Sequence, residues 1–166
     1  MIKAIAHVDR DWGIGKGNDM MFFLPRDMKF FRETTLNHTV VMGGNTLRSF
    51  PNGKPLKNRV NIVLSRGQVC DECIFVRDYD ELKKELKARE NEEIFIIGGG
   101  QVYKELLPYC DEVLITKVDE VGGAEVFFPN LDLDPNFICV DEGVPLEDNG
   151  HTIRFTTYKN RQVKPL

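Results

Sequence analysis

Apolar residues in this chain fall into short blocks, and the spacing inside each block separates strands from helices. Near-continuous runs such as Ile94-Phe95-Ile96-Ile97 suit strands that are covered on both faces. Strands are predicted over residues 2–8, 39–42, 60–64, 74–76, 94–97, 113–118, 137–140 and 152–158. Helices are predicted over 25–36, 46–50, 79–89 and 101–107, with Pro25 at a favoured first position, Asp78 as an N-cap and Pro108 as a stop. Strands interleaved with helices imply an α/β fold around a largely parallel sheet. The C-terminal third has no helical run, so its last strands are expected to pair antiparallel at a sheet edge.

The length of 166 residues matches one domain over 1–166, and no repeat or linker divides it. With 42% hydrophobic and 29% charged residues, the composition excludes a disordered or fibrous chain. No apolar run approaches the roughly 20 residues that cross a bilayer. The first one, 2–8, is interrupted by Lys3 and followed by Asp9-Arg10-Asp11, too short and too polar-flanked for an export signal. A cytoplasmic location is expected, with Cys70, Cys73, Cys110 and Cys139 as reduced thiols.

Charge changes this picture more than composition does. The net charge is −4, yet from Thr34 to Cys70 there is no Asp or Glu, while Arg48, Lys54, Lys57, Arg59 and Arg66 give +5. The rest carries 17 basic against 26 acidic residues, so one electropositive segment lies in an otherwise acidic chain. Either a bound anion or a solvated loop face explains it. Five charges over this length with few aromatics are too thin a footprint for nucleic acid.

Three strand ends carry chemistry suited to phosphate. Gly98-Gly99-Gly100 ends one buried strand and opens a helix, and Gly43-Gly44-Asn45-Thr46 repeats the arrangement, so two rows of backbone N–H groups could hold a pyrophosphate. Neither matches the G-x-G-x-x-G fingerprint or a P-loop. Ser65-Arg66 follows a third strand and suits a phosphate monoester, which would favour a 2′-phosphorylated adenosine. Asp27 shares a helix stripe with Leu24, Met28 and Phe31. It is either a first-turn Asp favoured by the macrodipole or a shielded carboxylate with a ligand partner. Residues 12–18 are glycine-rich with an exposed-looking Trp12, reading as a lid or an ordinary flexible connection. Cys70-x-x-Cys73 lacks a second pair or placed His to complete a metal site, so no metal is expected, and His7, His38 and His151 form no visible triad.

These stretches together resemble the dihydrofolate reductase family over nearly the whole chain. The resemblance rests on residues 2–6, Ile14-Gly15, Leu24-Pro25-Arg26-Asp27-Met28-Lys29-Phe30-Phe31, Val41-Met42-Gly43, Asn61-Ile62-Val63-Leu64-Ser65-Arg66, residues 97–103, Leu114-Ile115-Thr116 and Phe127-Phe128-Pro129. It implies three layers: an eight-stranded, mostly parallel mixed sheet flanked by about four helices, with an antiparallel C-terminal edge strand. It also implies reduction of 7,8-dihydrofolate by NADPH, with hydride passing from nicotinamide C4 to pterin C6 and a proton reaching N5, in a chain that is a monomer without nucleic acid or membrane partners.

By the same resemblance, Asp27 would hold the pterin's 2-amino and N3–H groups with support from Thr116. Ile5, Ala6, Met28, Phe31, Phe50, Leu56 and Ile97 would line the folate pocket, and Arg59 would pair with the folate α-carboxylate. Ala6, His7 and Ile14 would adjoin the nicotinamide. Gly43, Gly44, Asn45, Thr46, Leu64, Ser65, Arg66, Ile97, Gly99, Gly100, Gln101, Val102 and Tyr103 would surround the rest of NADPH, with Met20 on a closing lid. Four positions depart from the family pattern. Phe22 stands where an indole N–H is usual near the proton route, and Gly44 replaces a frequent basic residue. Glu125-Val126 stand where Asp-Thr commonly anchors the lid, and His7 replaces a small residue. Rival readings are a pterin or pyrimidine reductase of the same fold, as in riboflavin synthesis, and a non-catalytic nucleotide-binding domain.

Overall fold

The computed structural model describes residues 1–17, 19–67 and 70–166. The chain runs β1 (Ile2–Val8), β2 (Gly13–Lys16), β3 (Asp19–Met20), α1 (Pro25–Thr35), β4 (Thr39–Gly43), α2 (Gly44–Ser49), β5 (Val60–Leu64) and β6 (Cys73–Val76). It continues with α3 (Tyr79–Lys87), β7 (Ile94–Gly98), α4 (Gly100–Leu106), β8 (Glu112–Val118), β9 (Val126–Phe127), β10 (Phe137–Glu142), β11 (Leu146–Asp148) and β12 (His151–Asn160). Every strand and helix expected from spacing forms. Asp78 caps α3 by accepting the Glu81 N–H at 2.8 Å, and α4 gives way to a 3-10 turn at Leu107–Tyr109, where Pro108 sits.

The main sheet has the order β10-β12-β8-β1-β7-β4-β5-β6, with β11 attached to β12. From β8 to β6 every pairing is parallel, and β12 runs antiparallel to both β8 and β10. The outermost antiparallel strand is therefore β10, and the chain's last strand lies one place inside it. Alternation along the strands divides their side chains between two cores. Ala4, Val41, Ile62 and Ile96 pack with Leu82, Leu86, Val102 and Leu106 of α3 and α4. Ile5, Val40, Met42, Val63 and Phe95 pack with Leu47 of α2 and with Phe30 and Phe31 of α1.

Spacing gave no sign of the small sheet β3-β2-β9, whose strands are two to four residues long. It also corrects the reading of Trp12, which is 6% exposed and packs its ring against Phe128 and Tyr158 at centroid distances of 6.2 and 5.9 Å. Pairing of β2 with β9 turns the indole inward, and Trp12 takes φ 63° to do so. Asn18, at the end of the expected lid, lies outside the described residues. The apolar stripe of α1 is a second correction: Leu24 is buried, but Met28 is 40% exposed and Thr35 is the helix's buried residue. This helix leaves part of its apolar face open instead of sealing it against the sheet.

Candidate active site

The site is built from the first turn of α1 and the C-terminal halves of β1 and β8. No side chain at the helix start caps α1. Its free N–H groups at Arg26 and Asp27 are instead accepted by the Asp148 carboxylate from β11, each at 3.1 Å. His7 and Thr116 are partners in the β1–β8 register, and alternation sends both to the α1 face together with Ile5 and Leu114. The two meet Asp27 there. Thr116 Oγ1 donates to Asp27 Oδ1 at 2.7 Å, and His7 Nδ1 lies 3.3 Å from Oδ2. The Asp27 side chain is only 13% exposed and lies in the first turn of α1, so it is at once a first-turn Asp and a shielded carboxylate with a hydrogen-bonding partner.

Apolar groups form a wall beside that carboxylate. Ile5 is buried, and Phe31, Phe50, Leu56 and Ile97 are half-buried against the same core. Ala6 is turned the other way, packing with Ile14 and Leu64 on the α3–α4 side, so its methyl does not join this wall. At the far end, Arg59 is fixed by three donations, to Thr35 Oγ1, Lys57 O and Arg32 O at 2.9, 2.6 and 2.9 Å. Burial, and then the nearby Arg32, lower its pKa, but a guanidinium this basic stays charged.

The two glycine turns stand side by side. Neighbouring strands β4 and β7 end in them, with Met42 in register with Gly98, and a Cβ built on Gly43 would lie 3.9 Å from Gly99 N. Gly43 and Gly99 are the N-caps of α2 and α4, and no side chain caps either helix. Gly98 takes φ 131° and a Cβ there would sit 3.3 Å from Thr46 Oγ1, so only glycine fits between the turns. The Gly98–Gly99 peptide is cis. Tyr103 lies beneath, its hydroxyl donating to Ile5 O at 2.7 Å; burial, and then the charge of Asp27, push its pKa up. Val102 packs in the same core, while Asn45 and Gln101 are exposed. Ser65 and Arg66 follow β5 beside β4, and Arg66 is exposed, donating to Arg77 O at 3.4 Å. Bare helix N-termini beside an exposed guanidinium fit a dinucleotide phosphate chain.

The lid expectation takes a definite form. Met20 is 58% exposed on β3, and the hairpin is tied down by Glu125, whose carboxylate accepts the Gly17 N–H at 2.7 Å and whose own N–H reaches Gly15 O at 2.9 Å. Glu125 thus reaches an anchor despite its departure from the family pattern. Phe22 lies between two histidine rings, 6.3 Å from His7 and 5.1 Å from His151, and the latter pairs with Glu120. A cavity of about 710 Å³ opens between Lys104 of α4, Phe127 and Lys164, but it touches the expected cofactor residues only at Gly100 and Gln101 and does not reach Asp27. Convergent polar groups, not volume, mark the candidate site. Sequence reasoning missed Asp148, and it also missed Asp9, which accepts the N–H groups of Gly13 and Gly122 at 2.8 and 2.9 Å. It did not see His7 as a partner of Asp27.

Comparison with known proteins agrees with this geometry. The family model for dihydrofolate reductase matches residues 1–160. The chain is 33% identical to dihydrofolate reductase of Bacillus subtilis, over 97% of this chain and 95% of that one. It is 37% identical to that of Haemophilus influenzae, over 78% and 79%. A solved structure of dihydrofolate reductase from Enterococcus faecalis complexed with NADP(H) and RAB-propyl superposes with a TM-score of 0.83 at 30% identity, covering 96% of each chain. A whole-chain fold match together with identity at this level leaves one conclusion: the chain belongs to the dihydrofolate reductase family.

Proposed function

We propose that this chain reduces 7,8-dihydrofolate to 5,6,7,8-tetrahydrofolate with NADPH, using Asp27 to hold the pterin. One observation carries the reading: a shielded carboxylate on α1, braced by Thr116, shares its helix and sheet face with Ile5, Phe31, Phe50, Leu56 and Ile97 and with an arginine fixed at the helix end. A carboxylate offers about four lone-pair sites. Thr116 takes one and His7 approaches another, which leaves two for the adjacent N–H donors on a pterin edge. Shielding from water strengthens that pairing and fixes the ring's orientation. Phe31, Phe50, Leu56 and Ile97 would hold the flat ring and exclude water. Of the five N–H donors on Arg59, three are committed, so two remain for the folate α-carboxylate.

The residues at the glycine turns fit NADPH, with Gly43 to Thr46 and Gly99 to Tyr103 around its phosphates and Ser65 and Arg66 at the 2′-phosphate. When bound, the cofactor supplies hydride from nicotinamide C4 to pterin C6. Ala6, Ile14 and Leu64 share the side of the sheet that carries the α4 turn, which supports their place beside it. Holding both rings in one cleft supplies the proximity on which much of the rate depends. The same reading has the chain acting on small molecules as a cytoplasmic monomer of one domain, without nucleic acid. Loss of absorbance at 340 nm with NADPH and dihydrofolate tests the activity; binding of NADPH with no oxidation would overturn it. Elution in gel filtration at the 19.0 kDa of one chain tests the monomer.

A further inference from the structure

Beyond its approach to Asp27, His7 has no part in the proposed chemistry. Its side chain is 9% exposed, Nδ1 lies 3.3 Å from Asp27 Oδ2, and Nε2 is fully buried without a protein partner among the described residues. Leaving such a nitrogen unpaired costs free energy, so its retention calls for a role. On the open flank the imidazole meets Phe22, whose ring has no donor to offer.

We propose that His7 is a positioning residue for dihydrofolate reduction, sharing one proton with Asp27 so that the two work as a single imidazole–carboxylate unit. The inference rests on the assignment of Asp27 to the pterin. Reduction consumes one proton per turnover. Movement of a proton from His7 Nδ1 to Asp27 Oδ2 converts imidazolium and carboxylate into imidazole and carboxylic acid with no change in net charge. The acid gives up that proton to the pterin, whose N5 takes the one proton consumed, and one proton from solvent restores the imidazolium beside the carboxylate. Histidine is the side chain whose ordinary titration falls between pH 5 and 8, and the 3.3 Å between Nδ1 and Oδ2 brings the ring within reach of the carboxylate. The groups around the pair are few. Asp27 faces it from α1, with the Asp148 carboxylate behind on that helix's N-terminus. Tyr103 stands on the α4 side, and Thr116 on β8 supplies a neutral hydroxyl. Beyond Phe22 lie His151 and Glu120, which pair with each other.

The test needs activity and a spectroscopic signature. His7→Asn keeps an N–H near the Nδ1 position but holds no titrating proton. In single-turnover hydride transfer it is expected to lose about tenfold or more at pH 8, and its pH profile should have one ionisation fewer than the wild type. In an Asp27→Asn background the same change should add nothing, because His7 acts through Asp27. Independently of turnover, the imidazole ¹⁵N resonances of His7 in the NADPH-bound protein should titrate with a midpoint that moves in Asp27→Asn. Superimposable profiles for wild type and His7→Asn, or a His7 midpoint indifferent to Asp27→Asn, would overturn the proposal. The resonance measurement decides the matter even if His7→Asn fails to fold. A wild type that does not oxidise NADPH with dihydrofolate would instead sink the assigned activity, which is a separate outcome.

Discussion

Asp148 accepts the backbone N–H of Asp27 across 121 residues of sequence, at 3.1 Å, and accepts that of Arg26 with its other oxygen. The acid proposed to meet substrate is thus aimed by another acid bonded to its own main chain. Asp148 is 3% exposed, and loss of a side chain that caps a helix start costs about 0.5–2 kcal/mol, somewhat more where the acceptor is charged. Asp148→Ala is expected to lower stability by about 1–3 kcal/mol, measured by urea unfolding, and to raise KM for dihydrofolate more than KM for NADPH. Asp148→Asn keeps one acceptor oxygen and should lose less on both counts. Equal changes in the two KM values would show that the cap supports the fold without aiming Asp27.

Asp27→Asn keeps the size of the side chain and the Thr116 hydroxyl can still bond it, but the charge is gone. Turnover at neutral pH should fall by about 100-fold or more, while NADPH affinity, read by quenching of protein fluorescence, should stay as in the wild type. The glycine turns that are proposed to take the phosphates lie at the ends of β4 and β7, away from this carboxylate's partners on β1 and β8. Turnover close to wild type would remove Asp27 from the reaction.

The main sheet was legible because its strands are long, apolar and separated by helices with recognisable ends, such as Pro25 and Asp78. The small sheet was not, because β3 and β9 have two residues each and a period of two needs more than that to show. Asp27 stood out for its place on an apolar stripe, but that stripe is not uniformly sealed: Leu24 is buried and Phe31 packs half-buried against the core, while Met28 is 40% exposed. Partners fixed by tertiary register left no local trace. His7 meets Asp27 only once β1 and β8 align and α1 is set over them, and Asp148 only once β11 reaches the helix start.

Glu125 ties the β2–β3 hairpin to the segment before β9 through the Gly17 N–H. Both residues are exposed, so Glu125→Ala should change stability by no more than about 0.5 kcal/mol. Its effect belongs to the hairpin's hold on the bound cofactor. Stopped-flow dissociation of NADPH is expected to quicken severalfold, with the rate of thermal unfolding little altered. An unchanged dissociation rate would show that the bond is incidental to cofactor retention.

Burial pushes the Cys110 thiol up from its ordinary range, and the Tyr103 hydroxyl likewise. Both groups are held protonated in the folded chain at pH values where the unfolded chain would release the proton. Between the unfolded pKa, about 8.5 for a thiol, and the higher folded one, the native state binds more protons than the unfolded state. Their contribution is therefore complete below that range and is lost as pH rises through it. The urea midpoint is expected to decline from about pH 9 upward. Cys110→Ala, which removes one of these groups, should flatten the decline between pH 9 and 11 while lowering the midpoint at pH 7 through lost packing. A slope identical to the wild type would mean that this thiol titrates alike in both states.

Arg66 is an exposed cation just after β5, and its side chain donates to Arg77 O at 3.4 Å. A guanidinium with donors to spare recognises a phosphate monoester in a way that a ribose hydroxyl does not repay. Gly44 adds no charge at the neighbouring turn, so the proposed reading assigns discrimination between the two nicotinamide cofactors to Arg66 with Ser65. Arg66→Ala is expected to weaken NADPH by about tenfold, in keeping with one charge-assisted bond, and to leave NADH nearly unaffected, so that the NADPH preference in kcat/KM shrinks by that factor. Arg66→Lys should recover part of the preference, because it restores the charge without the planar fork. Parallel losses for both cofactors would place Arg66 elsewhere than at the 2′-phosphate, and the electropositive segment around it would then answer to the folate tail alone.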